Sequence, residues 1–120
     1  PSITEYSAYE ALQLSRVSKQ ARNFDIFHSH VGYTSLFHAG FVETPTVHTL
    51  HGAFNSDTKQ IYTEAREQHY VSISDAQREP INELNYAATV YIGIDTESHR
   101  VYAQPQSEPY LAFLGWISPE

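Results

Sequence analysis

The sequence predicts an α/β fold built on a parallel sheet, and two observations lead to this prediction. Short apolar segments bounded by Gly, Pro or Asn recur along the chain and are typical of buried strands. Between them lie longer segments whose apolar positions have helical spacing. Strands that alternate with helices in this way form βαβ units, in which the strands run parallel and the helices cover the sheet. We therefore expect a three-layer, Rossmann-like parallel sheet.

The elements can be placed in order along the chain. The opening helix is predicted to begin at Ser2, which has capping-box spacing to Glu5, and to end near Asn23. Strands are predicted at 25–30, 46–51, 70–75 and 88–93, with a fifth at 110–115 that need not join the same sheet. Helices are predicted at 31–42, at 58–68 and from Ser74 to about Asn85, with Pro80 in an early turn of the last one.

Composition excludes several classes of protein. The chain of 120 residues carries 7 Lys and Arg against 14 Asp and Glu, and this net charge of −7 argues against a protein that binds nucleic acid. No apolar run approaches the ~20 residues that span a membrane. The absence of Cys excludes disulfides, a thiolate zinc site and a Cys nucleophile, and it fits a reducing cytoplasm.

Four of the predicted strands end in polar residues, or have glycine beside them, at the edge where parallel sheets bind their ligands. These residues are His28 and His30, then His51 and Gly52, then Ser74 and Asp75, and finally Gly93 and Asp95. Any one of them can instead be an ordinary edge residue or a helix N-cap. Since strand side chains alternate, Thr49 and His51 share a face and His48 points the other way. Four such positions at one edge favour a binding site.

Other kinds of site fit the residues less well. The His28-x-His30 and His48-x-x-His51 spacings resemble metal-ligand patterns, but no carboxylate completes a compact motif and His48 faces away from His51. We therefore expect no metal, although a His-cluster metal binder stays an alternative. The chain has no G-x-S-x-G elbow for a serine hydrolase, no G-x-G-x-x-G and no P-loop.

Five segments together resemble the family 4 glycosyltransferases, which are retaining, nucleotide-sugar-dependent enzymes of the GT-B fold. In chain order they are Phe24–His30, Pro45–Gly52, Tyr70–Arg78, Gly93–Asp95 and Leu114–Glu120. The resemblance covers nearly the whole chain from about Tyr6. It implies a hexosyltransferase type of activity with a nucleotide-sugar donor and no metal or other cofactor.

The resemblance also implies how the chain is divided. Residues 1–95 match the later part of the acceptor-side N-terminal domain, 96–109 a linker, and 110–120 the first strand of the donor-side domain. The opening strand of the family's first domain, its Gly-rich loop and most of the nucleotide-binding domain have no counterpart here. The edge that the opening strand would cover is left open, so we expect a homo-oligomer or a complementing chain.

Site residues can be carried over from the family by position. In the family, the matching segments lie beside the donor sugar, on the acceptor side and at the domain hinge, and no protein nucleophile is agreed, so none is assigned. The substrate-binding positions that the resemblance implies are His30, His51, Gly52, Ser74, Asp75, Gly93 and Asp95.

Two positions depart from the family pattern. Ile92 stands where the family usually has Asn, and Trp116 stands where it usually has an Arg that holds the donor diphosphate. Losing a cationic phosphate ligand removes the main interaction of such a site. We therefore expect the isolated chain to transfer no sugar, and a non-catalytic module for self-assembly or binding is the alternative function.

Overall fold

A four-stranded sheet forms the centre of the chain. The computed structural model describes residues 4–99, 110–113 and 115. Every neighbouring pair of strands is parallel, so the predicted α/β class and parallel sheet are confirmed. In the order in which they lie side by side, the strands are β1 (Phe27–Ser29), β2 (Thr46–Thr49), β3 (His69–Ser72) and β4 (Tyr86–Thr89).

Helices precede the sheet and connect its strands. In chain order they are α1 (Tyr6–Lys19), α2 (Thr34–Ala39), α3 (Ser56–Glu64) and α4 (Asp75–Arg78), with 3₁₀ turns at Ala21–Asn23 and Glu79–Ile81. Within the described residues, no helix is both long enough and apolar enough to cross a bilayer. The strands follow one another across the sheet, and right-handed crossovers then place α2, α3 and α4 on the same face.

Several helix boundaries differ from the prediction. Glu5 occupies the N-cap of α1 without a side-chain hydrogen bond, and Ser2 lies outside the described residues. The helix predicted from Ser74 to about Asn85 changes to a 3₁₀ turn at Glu79–Ile81, because Pro80 has no N–H to continue the α-helical hydrogen bonds. Helix α3 begins at Ser56, two residues before its predicted start at 58, because Asn55 caps it. The Asn55 side chain accepts from the Thr58 N–H, and the Thr58 hydroxyl accepts from the Asn55 N–H, both at 2.9 Å.

The strand predictions need several corrections. All four strands end before their predicted ends at 30, 51, 75 and 93, so Asp75 and Gly93 lie outside the sheet, and β1 begins at Phe27 rather than at 25. β4 begins at Tyr86 rather than Ala88, because the ladder with β3 is irregular and Tyr86 pairs directly with Tyr70. Residues 110–113 were predicted to form a strand, but they belong to no strand and lie exposed. Without a neighbouring strand, an apolar sequence alone does not form a ladder. The remainder of that prediction, at Leu114, lies outside the described residues.

The core lies between the sheet and the connecting helices, and Tyr70 is at its centre. The Tyr70 side chain is fully buried, its hydroxyl donates to the Ala65 carbonyl oxygen at 2.7 Å, and its ring meets Tyr62 edge-on at 5.7 Å. Burial raises the pKa of Tyr62 to about 12 and raises that of Tyr70 as well. The fully buried apolar members of this cluster are Leu36, Leu50, Tyr62, Tyr70, Ile81 and Leu84.

Side chains on the other face of the sheet are more exposed. Register aligns His28 with Val47, and Thr49 with Val71, so these four side chains share that second face. They are exposed or half-buried, whereas the alternate residues of β2 and β3 are buried against the helices. The sheet therefore has a packed face and a second face with His, Thr and Val side chains.

His48 is the polar residue of β2 that points into the core, as the alternation predicted. The Ser35 hydroxyl donates to the Val31 carbonyl oxygen at 2.7 Å, so its oxygen accepts from His48 Nδ1 at 2.9 Å. This assigns the proton to Nδ1 and leaves Nε2 as a buried lone pair with no partner among the described residues. Burial disfavours the imidazolium and lowers the pKa of His48 to about 4.

We expect the chain to lose stability in mild acid because of His48. In the unfolded chain this imidazole takes up a proton below about pH 6.5, whereas in the folded chain it does so only near pH 4. Its contribution to the free energy of unfolding is therefore complete above pH 6.5 and declines as the pH falls toward 4, by up to ~3 kcal/mol. Urea unfolding at pH 7.5 and pH 4.5 measures this loss.

The comparison needs a variant that cannot titrate. His48→Gln keeps an amide that can donate to Ser35, and it should show a clearly smaller difference between the two pH values than the parent chain. His99→Gln, at an exposed position away from His48, should retain the parent's difference. An equal loss in the parent and in His48→Gln would contradict this role of His48.

Candidate functional site

Two histidines meet at the carboxyl edge of the sheet. His30 follows β1, His51 follows β2, and His30 Nδ1 lies 2.8 Å from His51 Nε2. Beside them, His28 Nε2 lies 2.7 Å from the Thr49 hydroxyl oxygen, and the rings of His28 and His30 are 4.3 Å apart. The sequence predicted this grouping, since adjacent parallel strands in register bring the same ends and the same faces together.

The His30–His51 hydrogen bond fixes what the pair can offer a ligand. One ring must donate its N–H and the other must accept, and each ring has a second nitrogen that remains outside this bond. If His51 donates, then His30 has an N–H and His51 a lone pair left over. If His30 donates, the two roles are exchanged. In both cases the neutral pair presents one donor and one acceptor on different rings, and each can bond to a separate ligand hydroxyl.

The Gln77 side chain connects the loop after β2 to the start of α4, and only part of this contact could be predicted from the sequence. Its Nε2 donates to the carbonyl oxygens of Leu50 at 3.2 Å and Gly52 at 2.9 Å, and its Oε1 accepts from the Ile73 N–H at 2.9 Å. The spacing to Ser74 predicted a capping box that would turn this side chain back on its own helix. Instead it crosses to the neighbouring loop and positions the segment that contains His51.

Ser74 and Asp75 lie after β3, where the sequence placed them. The Ser74 hydroxyl accepts from the Gln77 N–H at 3.1 Å and caps α4. The Asp75 carboxylate accepts from the Tyr91 hydroxyl at 3.2 Å, and this hydroxyl in turn accepts from the Asp75 N–H at 3.3 Å. Tyr91 therefore orients the Asp75 carboxylate, which stays exposed. The position of Tyr91 in the sequence, directly before Ile92, did not predict this contact.

The other predicted site residues are not joined to the histidine pair. Asp95 accepts from the Glu97 N–H at 3.0 Å and forms a local turn, while Gly93 and Ile92 are exposed. Trp116 lies outside the described residues. Across residues 4–99, 110–113 and 115, no three His, Cys, Asp or Glu side chains converge as metal ligands.

Comparisons with known proteins leave the family open. Neither the models of known protein families nor the curated proteins include a match to this chain.

Removing the Gln77 side chain should loosen the loop that follows β2. Gln77→Ala leaves the Leu50 and Gly52 carbonyl oxygens and the Ile73 N–H without this partner, and we expect a loss of about 1–2 kcal/mol in the free energy of unfolding. Urea unfolding measures the loss, and hydrogen exchange should show faster exchange at 50–54.

Gln60→Ala is the matched control, because Gln60 is exposed on α3 and its side chain has no hydrogen bond in the described structure. It should change stability by less than about 0.5 kcal/mol. Equal effects of the two substitutions would show that Gln77 does not hold this loop.

Proposed function

We propose that this chain is part of a nucleotide-sugar-dependent, retaining glycosyltransferase and belongs to its acceptor-side domain. The observation that carries the proposal is the His30–His51 pair at the carboxyl edge of a parallel sheet, which is where such sheets bind ligands. The five segments that resemble family 4 glycosyltransferases support the same activity. The proposed activity is that of a hexosyltransferase.

The hydrogen-bonding pattern of the pair suits a sugar. Hydroxyls on a sugar ring each donate and accept, and the pair presents one donor and one acceptor, on two different rings. His30, His51 and Gly52 then lie against the donor sugar, with Gln77 holding the Gly52 backbone in place. We assign these residues to positioning the sugar, and no side chain here is proposed as a nucleophile.

The remaining residues take supporting roles in this proposal. Ser74 and Asp75 line the acceptor side, where the exposed carboxylate of Asp75 is oriented by Tyr91. Gly93 and Asp95 form the hinge toward a donor-side domain that supplies the diphosphate contacts. Since Ile92 and Trp116 replace polar family residues, the isolated chain transfers no sugar.

A second candidate is a non-catalytic module that assembles with a copy of itself or with a complementing chain. Its support is the apolar surface that the described residues leave exposed, which includes Ile92, Leu111 and Phe113. The absence of Cys fits either candidate acting in the reducing cytoplasm.

A titration with UDP-glucose and with GDP-mannose tests the glycosyltransferase proposal. We expect either donor to shift the imidazole NMR signals of His30 and His51 at millimolar concentration, because the diphosphate contacts are missing and binding is weak. His51→Ala should weaken this binding about tenfold, which corresponds to the loss of one hydrogen-bonding group.

His69→Ala is the matched control. It removes the same type of side chain from the same face of the sheet but from the amino-terminal end of β3, so binding should be unchanged. Equal weakening by both substitutions, or no shift at His30 and His51 with either donor, would contradict the site. Turnover of a donor by the 120-residue chain would contradict the claim that it is inactive.

A further inference from the structure

The outer edge of β1 has backbone groups available for another strand. Among the described residues, β1 pairs with β2 alone, and the Phe27 N–H donates toward β2, to Pro45, at 2.9 Å. Successive residues of a strand point their backbone groups in opposite directions, so the N–H and C=O of His28 face the outer edge. An edge of this kind is a template for pairing with a further chain.

A cavity of about 310 Å³ lies next to this edge, between α1, β1 and α2. Its hydroxyl groups are already bonded to the backbone, as Ser18 donates to the Leu14 carbonyl oxygen at 2.8 Å and Ser35 to that of Val31 at 2.7 Å. Gln13, His28, His30 and His38 also line the cavity, but most of its lining surface is apolar and comes from Leu14, Val17, Phe27, Ala39 and Val42. This surface suits apolar side chains better than a polar ligand.

The packing of α1 indicates that its layer is incomplete. This helix of 14 residues has no fully buried residue, and its apolar residues Leu12 and Val17 are 46% and 41% exposed. It contacts α2 but covers little of the sheet. An additional strand beside β1 would lie beneath α1 and bury the side chains that now face the cavity.

One segment of the chain has the properties of the missing strand. Residues 110–113 belong to no helix or strand, and Leu111 is fully exposed. In an extended strand, Leu111 and Phe113 point to the same face, so both can enter the cavity together. The sequence has no charged residue at 110–117 or at 26–31, although the chain has a net charge of −7. Docking of the two segments therefore brings no like charges together.

We infer that residues 110–113 of a second copy of this chain add a strand to the open edge of β1, with Leu111 and Phe113 in the cavity beneath α1. In its own chain this segment is exposed and does not lie on the edge. Since every copy has both the segment and the edge, two copies exchange segments reciprocally. The exchange closes a symmetric dimer in which both edges are covered. This interface specifies the self-assembly named above as the second candidate function, on which it rests, and it needs no nucleotide-sugar.

Light scattering on the 120-residue chain, without any sugar, tests the inference. We expect the parent chain to be a dimer. In Leu111→Asp, the protein concentration at which half of the dimer has dissociated should rise at least about tenfold, because a charge would enter an apolar cavity. Ile94→Asp is the matched control: it makes the same change of charge at an exposed apolar residue of the same tail, outside the segment, and should leave this concentration unchanged.

A second variant tests the edge without touching the segment. His28→Pro removes the N–H that faces outward and keeps the backbone pairing of β1 with β2, since edge strands tolerate proline. It also removes the ring that bonds to Thr49, so His28→Ala, which loses the same ring but keeps the N–H, is its control and should leave the dimer unchanged. Circular dichroism should show a folded chain and light scattering a weakened dimer. A monomer at micromolar concentration, an open-ended aggregate, or a dimer that withstands both Leu111→Asp and His28→Pro would overturn the inference. Sugar binding is distinguished from this interface at His51, because His30 also lines the cavity and His51 does not.

Discussion

The alternation of side chains along β2 is the constraint on which both the core and the candidate site depend. His48 points toward the helices, where it bonds to Ser35 and lies against Tyr70. Thr49 and the following His51 point to the opposite face, where they meet His28 and His30. Because the side-chain period of a strand is two, a shift of one residue would place His51 in the core and Thr49 against the helices. Packing of the core therefore holds the site in register.

The core and the site use histidine for opposite purposes. The buried ring of His48 is kept neutral, since no counter-charge accompanies it and its pKa falls to about 4. The rings of His30 and His51 are exposed, so their outer nitrogens remain available for a ligand. Gln77 links the two regions, because it spans from α4 to the backbone that leads from Leu50 to His51.

The order and type of the elements could be predicted from the sequence, because each strand and helix has its own spacing of apolar residues and its own boundary residues. The alternation along 46–51 correctly separated His48 from His51, and the cap-forming residues at Asn55–Asp57 marked the start of α3. Contacts between distant parts of the chain were beyond such patterns. The hydrogen bond from Gln77 to Gly52 depends on how α4 lies beside the loop after β2. The hydrogen bond from Tyr91 to Asp75 depends on where β4 ends relative to β3. The strand predicted at 110–115 was wrong over 110–113, because a strand needs a partner as well as an apolar sequence.

The placement of three histidines by β2 and its neighbour is the central claim, and NMR of the imidazole groups from pH 7.5 down to pH 4.5 tests it most directly, with ¹⁵N shifts for the protonated nitrogen and ¹H–¹H Overhauser effects for the ring contacts. The structure requires His48 to hold its proton on Nδ1, bonded to Ser35, and requires the rings of His30 and His51 to show a mutual nuclear Overhauser effect. Both signals together would confirm the register of β2. A His48 ring that titrates like free histidine near pH 6.5, with no contact between His30 and His51, would contradict it.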